Sequence, residues 1–168
     1  CIPEAVSRGY RRVARIASQH DGAIAMKEAV DAENGGRLVI GLDEEYPLEQ
    51  KDFRPFLTRL RAGPPVDAVM VMLLPGQCGV FAKQAREAGI TAPLVGFELF
   101  EDRQEVEASA GALVGQWYVS ADDPDDTFLT AYRKRFPGAS EFLASNGHDA
   151  ALLIGKAVEQ GIPPERFH

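Results

Sequence analysis

Leu73 to Gly79 reads LLPGQCG and sets a cysteine beside glycines, between the apolar run VDAVMVM and the helix-like FAKQAREAG. A nucleophilic Cys78 would need a base to take its proton and a strained turn to present its sulfur. The elbow pattern G-x-C-x-G requires glycine two places after the cysteine, whereas Gly79 is adjacent and Val80 holds that place. His148, with Asp149 beside it, is the base on offer, but adjacent helix residues point in different directions and do not orient one another. The other use of the stretch is as a ligand-cradling loop. Gly76 and Gly79 permit close backbone approach, the N–H groups at the start of the next helix hold a carboxylate or other anion, and Gln77 and Cys78 are contact residues or, for the cysteine, a small apolar filler.

Two further stretches carry candidate groups. SQHDG, Ser18 to Gly22, offers His20 and Asp21 to a polar ligand, or else serves as turn chemistry with Asp21 capping a helix. In GFELFED, Glu98 lies between Phe97 and Leu99 just past an expected strand end, where an acid flanked by apolar groups suits an ammonium; the plainer use is a solvated loop carboxylate. Trp117 and Tyr118 line a cleft or pack at a strand end. Cys1 and Cys78 have no Cys or His partner at metal-ligand spacing, so neither a zinc site nor a disulfide framework is expected, and no cofactor is called for.

The elements that must position these residues follow from hydrophobic period. RRVARIAS, RLVIGLDEEY, VDAVMVMLL, PLVGF and GALVGQWYVSA read as five strands, the third apolar throughout as a doubly covered parallel strand should be. Helices are expected between them: AIAMKEAVDAEN ending at Gly35-Gly36, a segment capped by Asp52 with the stripe Phe53, Phe56, Leu57 and Leu60, the helix ending at Gly89, and EVEASA, opened by an Asp102…Glu105 capping box. A short leading helix ends near Gly9. The pattern predicts an α/β fold, a three-layer, mostly parallel sheet flanked by helices over residues 1–120. The composition then shifts at ADDPDDTF, read as a helix start with Asp123 as cap and Pro124 in the first turn, with the stripe Phe128, Leu129, Tyr132 and Phe136. HDAALLIGKAVEQG follows as a helix whose widely spread apolar residues predict burial.

The 168 residues carry a formal charge of −7 and no basic block, which gives a nucleic acid no electrostatic support. No run approaches the roughly 18 apolar residues of a membrane-spanning helix, and no signal-peptide pattern opens the chain.

From the FLTRL helix through AKQAREAGI and GFELFED, and again at GALVGQWYVSADDPDDTF and NGHDAALLIGKAVEQ, the sequence resembles the type I periplasmic binding proteins, in particular the leucine/isoleucine/valine-binding group that serves ABC transporters. The resemblance implies a two-lobed clamp without catalytic chemistry. Residues 1–120 would be most of the second lobe, and 121–168 a hinge crossing with two helices of the first, so that the chain is a fragment whose last helix packs elsewhere or on a second copy. It implies a small ligand, such as an amino acid, bound between lobes, a membrane permease as partner, a periplasmic or cell-surface location, and Glu98 as the acid that receives an ammonium. SQHDGA lacks the aromatic residue often found in the family's first loop and offers His20 and Asp21 instead. A sensory or regulatory domain on the same fold is the related alternative; a hydrolase or amidotransferase using Cys78 is the enzymatic one.

Overall fold

The middle apolar run forms a strand, Ala68–Met72, with all five residues buried. Its side chains alternate between two separate cores, Val69 and Val71 on one face and Ala68, Met70 and Met72 on the other, which places helices on both sides of the sheet. A computed structural model describes residues 1–120 and 124–163. In chain order the elements are α1 (Ile2–Ser7), β1 (Arg12–Ser18), α2 (Asp21–Asn34), β2 (Val39–Tyr46), α3 (Arg54–Ala62), β3 (Ala68–Met72), α4 (Cys78–Glu87), β4 (Leu94–Phe97), α5 (Arg103–Ala108), β5 (Trp117–Val119), α6 (Asp126–Arg135) and α7 (Ala144–Glu159). A 3-10 turn over Glu98–Phe100 joins β4 to α5.

The five strands form one parallel sheet in the order β2-β1-β3-β4-β5. The order reverses between β1 and β3, so the connections on either side run to opposite faces and leave a crevice beyond those two strand ends. On one face α3 and α4 bring Phe53, Phe56, Leu57 and Phe81 onto Ala14, Ile16, Val69 and Leu94. Three ring pairs there, Tyr46–Phe53, Phe53–Phe81 and Phe56–Phe81, meet edge to face at 5.6, 5.6 and 5.9 Å, the arrangement that aromatic quadrupoles favour. The other face holds Ile2, Ala5, Val13, Val30 and Met70 around α1 and α2. Arg15, also on β1, is buried and donates to Asp31 of α2 and Asp43 of β2. The exposed carboxylates of edge strand β2 thereby close onto the layer beside it.

The differences from the sequence expectation lie at element ends. The fifth strand is confined to Trp117–Val119 because turns occupy 109–115, two of them at glycines with positive φ, Gly111 and Gly115. Phe53, not Asp52, precedes α3; Asp52 accepts instead from the N–H of Arg54 and pairs with its guanidinium. The cap of α2 is His20 rather than Asp21: its Nδ1 accepts from the N–H of Gly22, and Asp21 is the first helical residue, where a negative charge suits the dipole. Asp123 lies outside the described residues, and α6 is capped by Asp125, which accepts from Phe128.

The chain divides into two units, Cys1–Ala121 and Asp122–His168. Within the second, Phe128 stacks on Tyr132 at 5.7 Å and meets His148 at 5.1 Å, and Arg133 pairs with Glu141 at 2.6 Å. α7 begins before His148, at Ala144, and the burial expected of it does not occur: Leu153 and Val158 are 67% and 66% exposed. Among the described residues of this unit α6 is the one other helix, and a single helix offers too little surface to cover one that is apolar on several sides.

Candidate functional site

The register of the sheet decides which loop residues gather at one edge. Ala17 pairs with Met72, Met70 with Val95, and Phe97 with Val119, so Ser18, Leu73 and Glu98 emerge level at the carboxyl edge, where ligands bind in open α/β sheets. β1 and β4 are separated by one strand, and at the usual interstrand spacing their ends lie about 10 Å apart. The loop that carries His20 and Asp21 and the turn that carries Glu98 therefore leave the sheet at the same edge, on either side of the β3 end.

The crevice at the order reversal is already filled by the protein's own polar groups. Ser18, fully buried, accepts from the N–H of Leu74 at 2.9 Å and donates to Oε1 of Gln77 at 2.6 Å. The Gln77 amide nitrogen donates to the carbonyls of Pro47 and Gln50. Gln77 has no exposed surface and both amide N–H donors are spent, so its side chain ties the β1, β2 and β3 loops together. Lys51 closes the same loops from outside, its ammonium donating to the Gly76 carbonyl at 2.6 Å.

The start of α4 is occupied in the same way. From sequence, N–H groups free for an anion are expected at the start of this helix; instead the N–H of Gly79 in its first turn, at 2.7 Å, and that of Gly76 in the loop before it both donate to the carboxylate of Glu105. Glu105 is 3% exposed and points across to α4. Asp102 does cap α5, accepting from Gln104 and Glu105, but Asp102 gives its own N–H to the Leu99 carbonyl, so the reciprocal half of the capping box is absent. Glycine at 79 follows from this packing: a Cβ there would collide with the Glu105 carbonyl and sit 2.9 Å from the Ala108 Cβ. Gly76 has φ of +81°, a left-handed conformation that glycine takes without strain.

Cys78 is 1% exposed. Burial pushes its thiol pKa up, and the negative charges of Glu105 and Asp102 push it the same way. Both effects oppose the thiolate that a nucleophile needs. His20 and Asp21 are exposed, His20 with Nδ1 engaged as an acceptor. Phe97 is half-buried against the core around α1 and α2, and half-buried Glu98 has no side-chain hydrogen bond or ion pair among the described residues. Tyr118 is tied to Glu101 at 2.9 Å, and Trp117 packs on Tyr10 with the Arg8 guanidinium 4.7 Å above its ring. Among the described residues no His/Cys/Asp/Glu group could hold a metal, and no helix is long and apolar enough to cross a membrane.

Sequence reasoning missed Ser18 and Glu105. The available signal was polar residues at positions where strand and helix periods demand apolar ones.

The molecule is an α/β lobe with a doubly covered parallel sheet and its loops gathered at the carboxyl edge. The Periplasmic binding protein family model matches residues 5–166, and the chain belongs to that family. No curated protein matches it. Among solved structures it is similar to the branched-chain amino acid binding protein LivJ of Streptococcus pneumoniae in complex with isoleucine, at 22% identity and a TM-score of 0.75, covering 91% of this chain and 46% of that one. The leucine-binding protein LivK of Thermotoga maritima gives 16% identity and a TM-score of 0.78, with 95% and 47% covered. A solute-binding protein of an ABC transporter from Rhodopseudomonas palustris, in complex with 3,4-dihydroxybenzoic acid, gives 26% identity and a TM-score of 0.67, with 94% and 46% covered. The chain therefore spans about half the length of each of these proteins. The expected fold is the one found: a type I periplasmic-binding-protein sheet, here parallel throughout.

Proposed function

We propose that the chain is one lobe, with adjoining helices, of an extracytoplasmic solute-binding component of an ABC transporter, and that its ligand is an amino acid or similar small polar molecule. Residues 1–120 are the second lobe, and 121–168 are a hinge crossing with helices of the first; the transporter's permease is the membrane partner. The observation that carries the ligand class is Glu98, a half-buried carboxylate beyond β4 without a side-chain partner among the described residues. An ammonium closed against it between two lobes exchanges water for a direct charge-assisted hydrogen bond. Phe97 beside it and His20 and Asp21 across the edge supply the remaining contacts from this lobe. Gln77 acts one layer below, by holding the loop, and Cys78 beside it fills the core. Closure about a hinge then buries the ligand without covalent chemistry.

A second ligand class has a specific support, since the neighbour at 26% identity is described with 3,4-dihydroxybenzoic acid, an anion without an ammonium. Calorimetry on the full-length protein with both lobes, against the common amino acids and 3,4-dihydroxybenzoate, separates the two. An amino-acid ligand should weaken by about 30-fold or more in Glu98→Gln, some 2 kcal/mol. If only the aromatic acid binds, or Glu98→Gln leaves amino-acid affinity intact, the ammonium assignment fails.

A further inference from the structure

Glu105 spends both carboxylate oxygens on the backbone of a loop it is not part of, accepting from Gly76 and Gly79. It is almost wholly buried, so no ligand in a cleft can reach it. A buried carboxylate is costly to keep charged unless its acceptors are filled, and here the filling groups are the N–H donors of Gly76, in the loop, and of Gly79, in the first turn of α4. The same short segment carries Glu98: the 3-10 turn Glu98–Phe100 runs into Asp102, whose side chain accepts from the N–H of Glu105 itself. Phe100 anchors that turn by lying over Gly96, where a Cβ would collide with its ring. The loop after β3 and the loop after β4 are therefore joined through one side chain.

We propose that Glu105 is a positioning residue that locks the β3–α4 loop and the Glu98 turn into a single rigid body at the carboxyl edge of the sheet. It touches no ligand; it fixes where the Glu98 carboxylate stands relative to Pro75 and Gly76. In this design the anion site that a glycine-bordered helix start would offer is spent internally, so the loop cannot shift toward a ligand's carboxylate without releasing the Glu98 turn. The significance of this lock rests on the binding role proposed above, but the lock itself is measurable without any ligand.

Amide hydrogen exchange of this 168-residue chain, resolved by residue, tests it. In Glu105→Gln one amide N–H loses its acceptor, and exchange should quicken at least tenfold at both Gly76–Gly79 and Phe97–Asp102, while Val13–Ser18 of β1 keeps its wild-type rates. Acceleration confined to Gly76–Gly79 breaks the proposed coupling. A uniform rise through Cys1–Ala121 reduces Glu105 to general stability and overturns the proposal as well. If Glu105→Gln does not fold, Asp102→Ala decides from the other end: it removes a cap that touches neither glycine, and the Gly79 amide should still exchange at least tenfold faster, an unchanged rate sinking the idea. Coupled exchange in a protein that binds none of the amino acids tried would sink the ligand assignment alone. Amino-acid binding with uncoupled exchange would sink the lock alone.

Discussion

The Glu105 carboxylate receives the N–H of Gly79 at 2.7 Å from a helix 26 residues further along the chain. This contact decides how the loop after β3 is built. Gly79 is required by the approach of α5 rather than by an incoming ligand, Gly76 by its left-handed backbone, and the N–H groups of both already donate to Glu105. Exposed His20 and Asp21 beyond β1 and half-buried Glu98 beyond β4 lie on either side of that loop.

The close approach makes a sharp distinction between glycines. A methyl group at position 79 meets the Glu105 carbonyl and the Ala108 Cβ, whereas at Gly155, inside α7, it meets nothing within 4 Å. Gly79→Ala should destabilise the chain by about 1–3 kcal/mol through overpacking. Gly155→Ala should stabilise α7 by about 0.5–1 kcal/mol through helix propensity. Urea unfolding of both variants, followed by circular dichroism, checks the opposite signs; equal effects would mean that α4 and α5 do not meet in this way.

Ser18 provides a second test of how the edge is held. Its buried hydroxyl donates to Gln77 and accepts from the N–H of half-buried Leu74. Ser18→Ala strands a donor and an acceptor at once and should cost about 1–3 kcal/mol. Ser7→Ala is the control, since that hydroxyl serves only exposed groups of its own helix turn; its loss should stay within about 0.5 kcal/mol. Denaturant midpoints compared at constant slope measure both.

How much of this was legible beforehand follows from what each signal encodes. The strand at Ala68–Met72 and the helix stripe of Phe53, Phe56, Leu57 and Leu60 were plain, because burial imposes a period on local sequence and period survives without tertiary information. The cap at Asp102 was equally local. Glu105 was misread as its capping-box partner because three-residue spacing is all that sequence offers, while the side chain's real partners, Gly76 and Gly79, come from another loop. α7 was misread in the opposite direction: its apolar residues showed that it wants a surface, not that its own unit supplies one. At the edge, Glu98 could be singled out by its apolar neighbours, whereas the occupation of the α4 start could not, since a polar residue on a buried helix position, as at Glu105, shows that a partner is needed but not which segment supplies it.

The ion cluster on β1 and β2 gives the chain an acid limit. Arg15, its side chain 3% exposed, binds Asp31 at 2.7 Å and Asp43 at 2.6 Å, and Lys27 adds a second cation to Asp43 at 3.2 Å. Burial by itself would raise the Asp43 pKa, but hydrogen bonds from Arg15 and Lys27 outweigh it and hold the group below its ordinary value. Arg59, helped by Tyr46 and opposed by burial, does the same for Glu44. A carboxylate with a depressed folded pKa contributes stability that is complete above its unfolded pKa of about 4 and is lost as pH falls through the folded value. Thermal midpoints should therefore hold between about pH 5 and 8 with respect to these groups and fall below about pH 4. Asp43→Asn, which leaves the buried guanidinium half-paired, should cost about 1–3 kcal/mol at neutral pH and flatten the acid decline. Parallel curves for the two proteins would mean that Asp43 carries none of it.

Cys78 supplies the last contrast, between the enzymatic alternative and the binding one. A thiol 1% exposed, with its pKa raised by burial and by the charges of Glu105 and Asp102, is protonated and shielded at neutral pH. In a Cys1→Ser background, iodoacetamide near pH 7 should label Cys78 at least about 100-fold more slowly than glutathione, because alkylation needs both thiolate and access. The rate should climb with added urea in step with opening of the Cys1–Ala121 unit. Cys78→Ala should leave the affinity for any amino-acid ligand unchanged within about twofold, a difference under about 0.5 kcal/mol. A Cys78 that alkylates as fast as free glutathione would restore the nucleophile to consideration and require the loop of Leu73 to Gly79 to open far more readily than its bonds to Glu105, Ser18 and Lys51 allow.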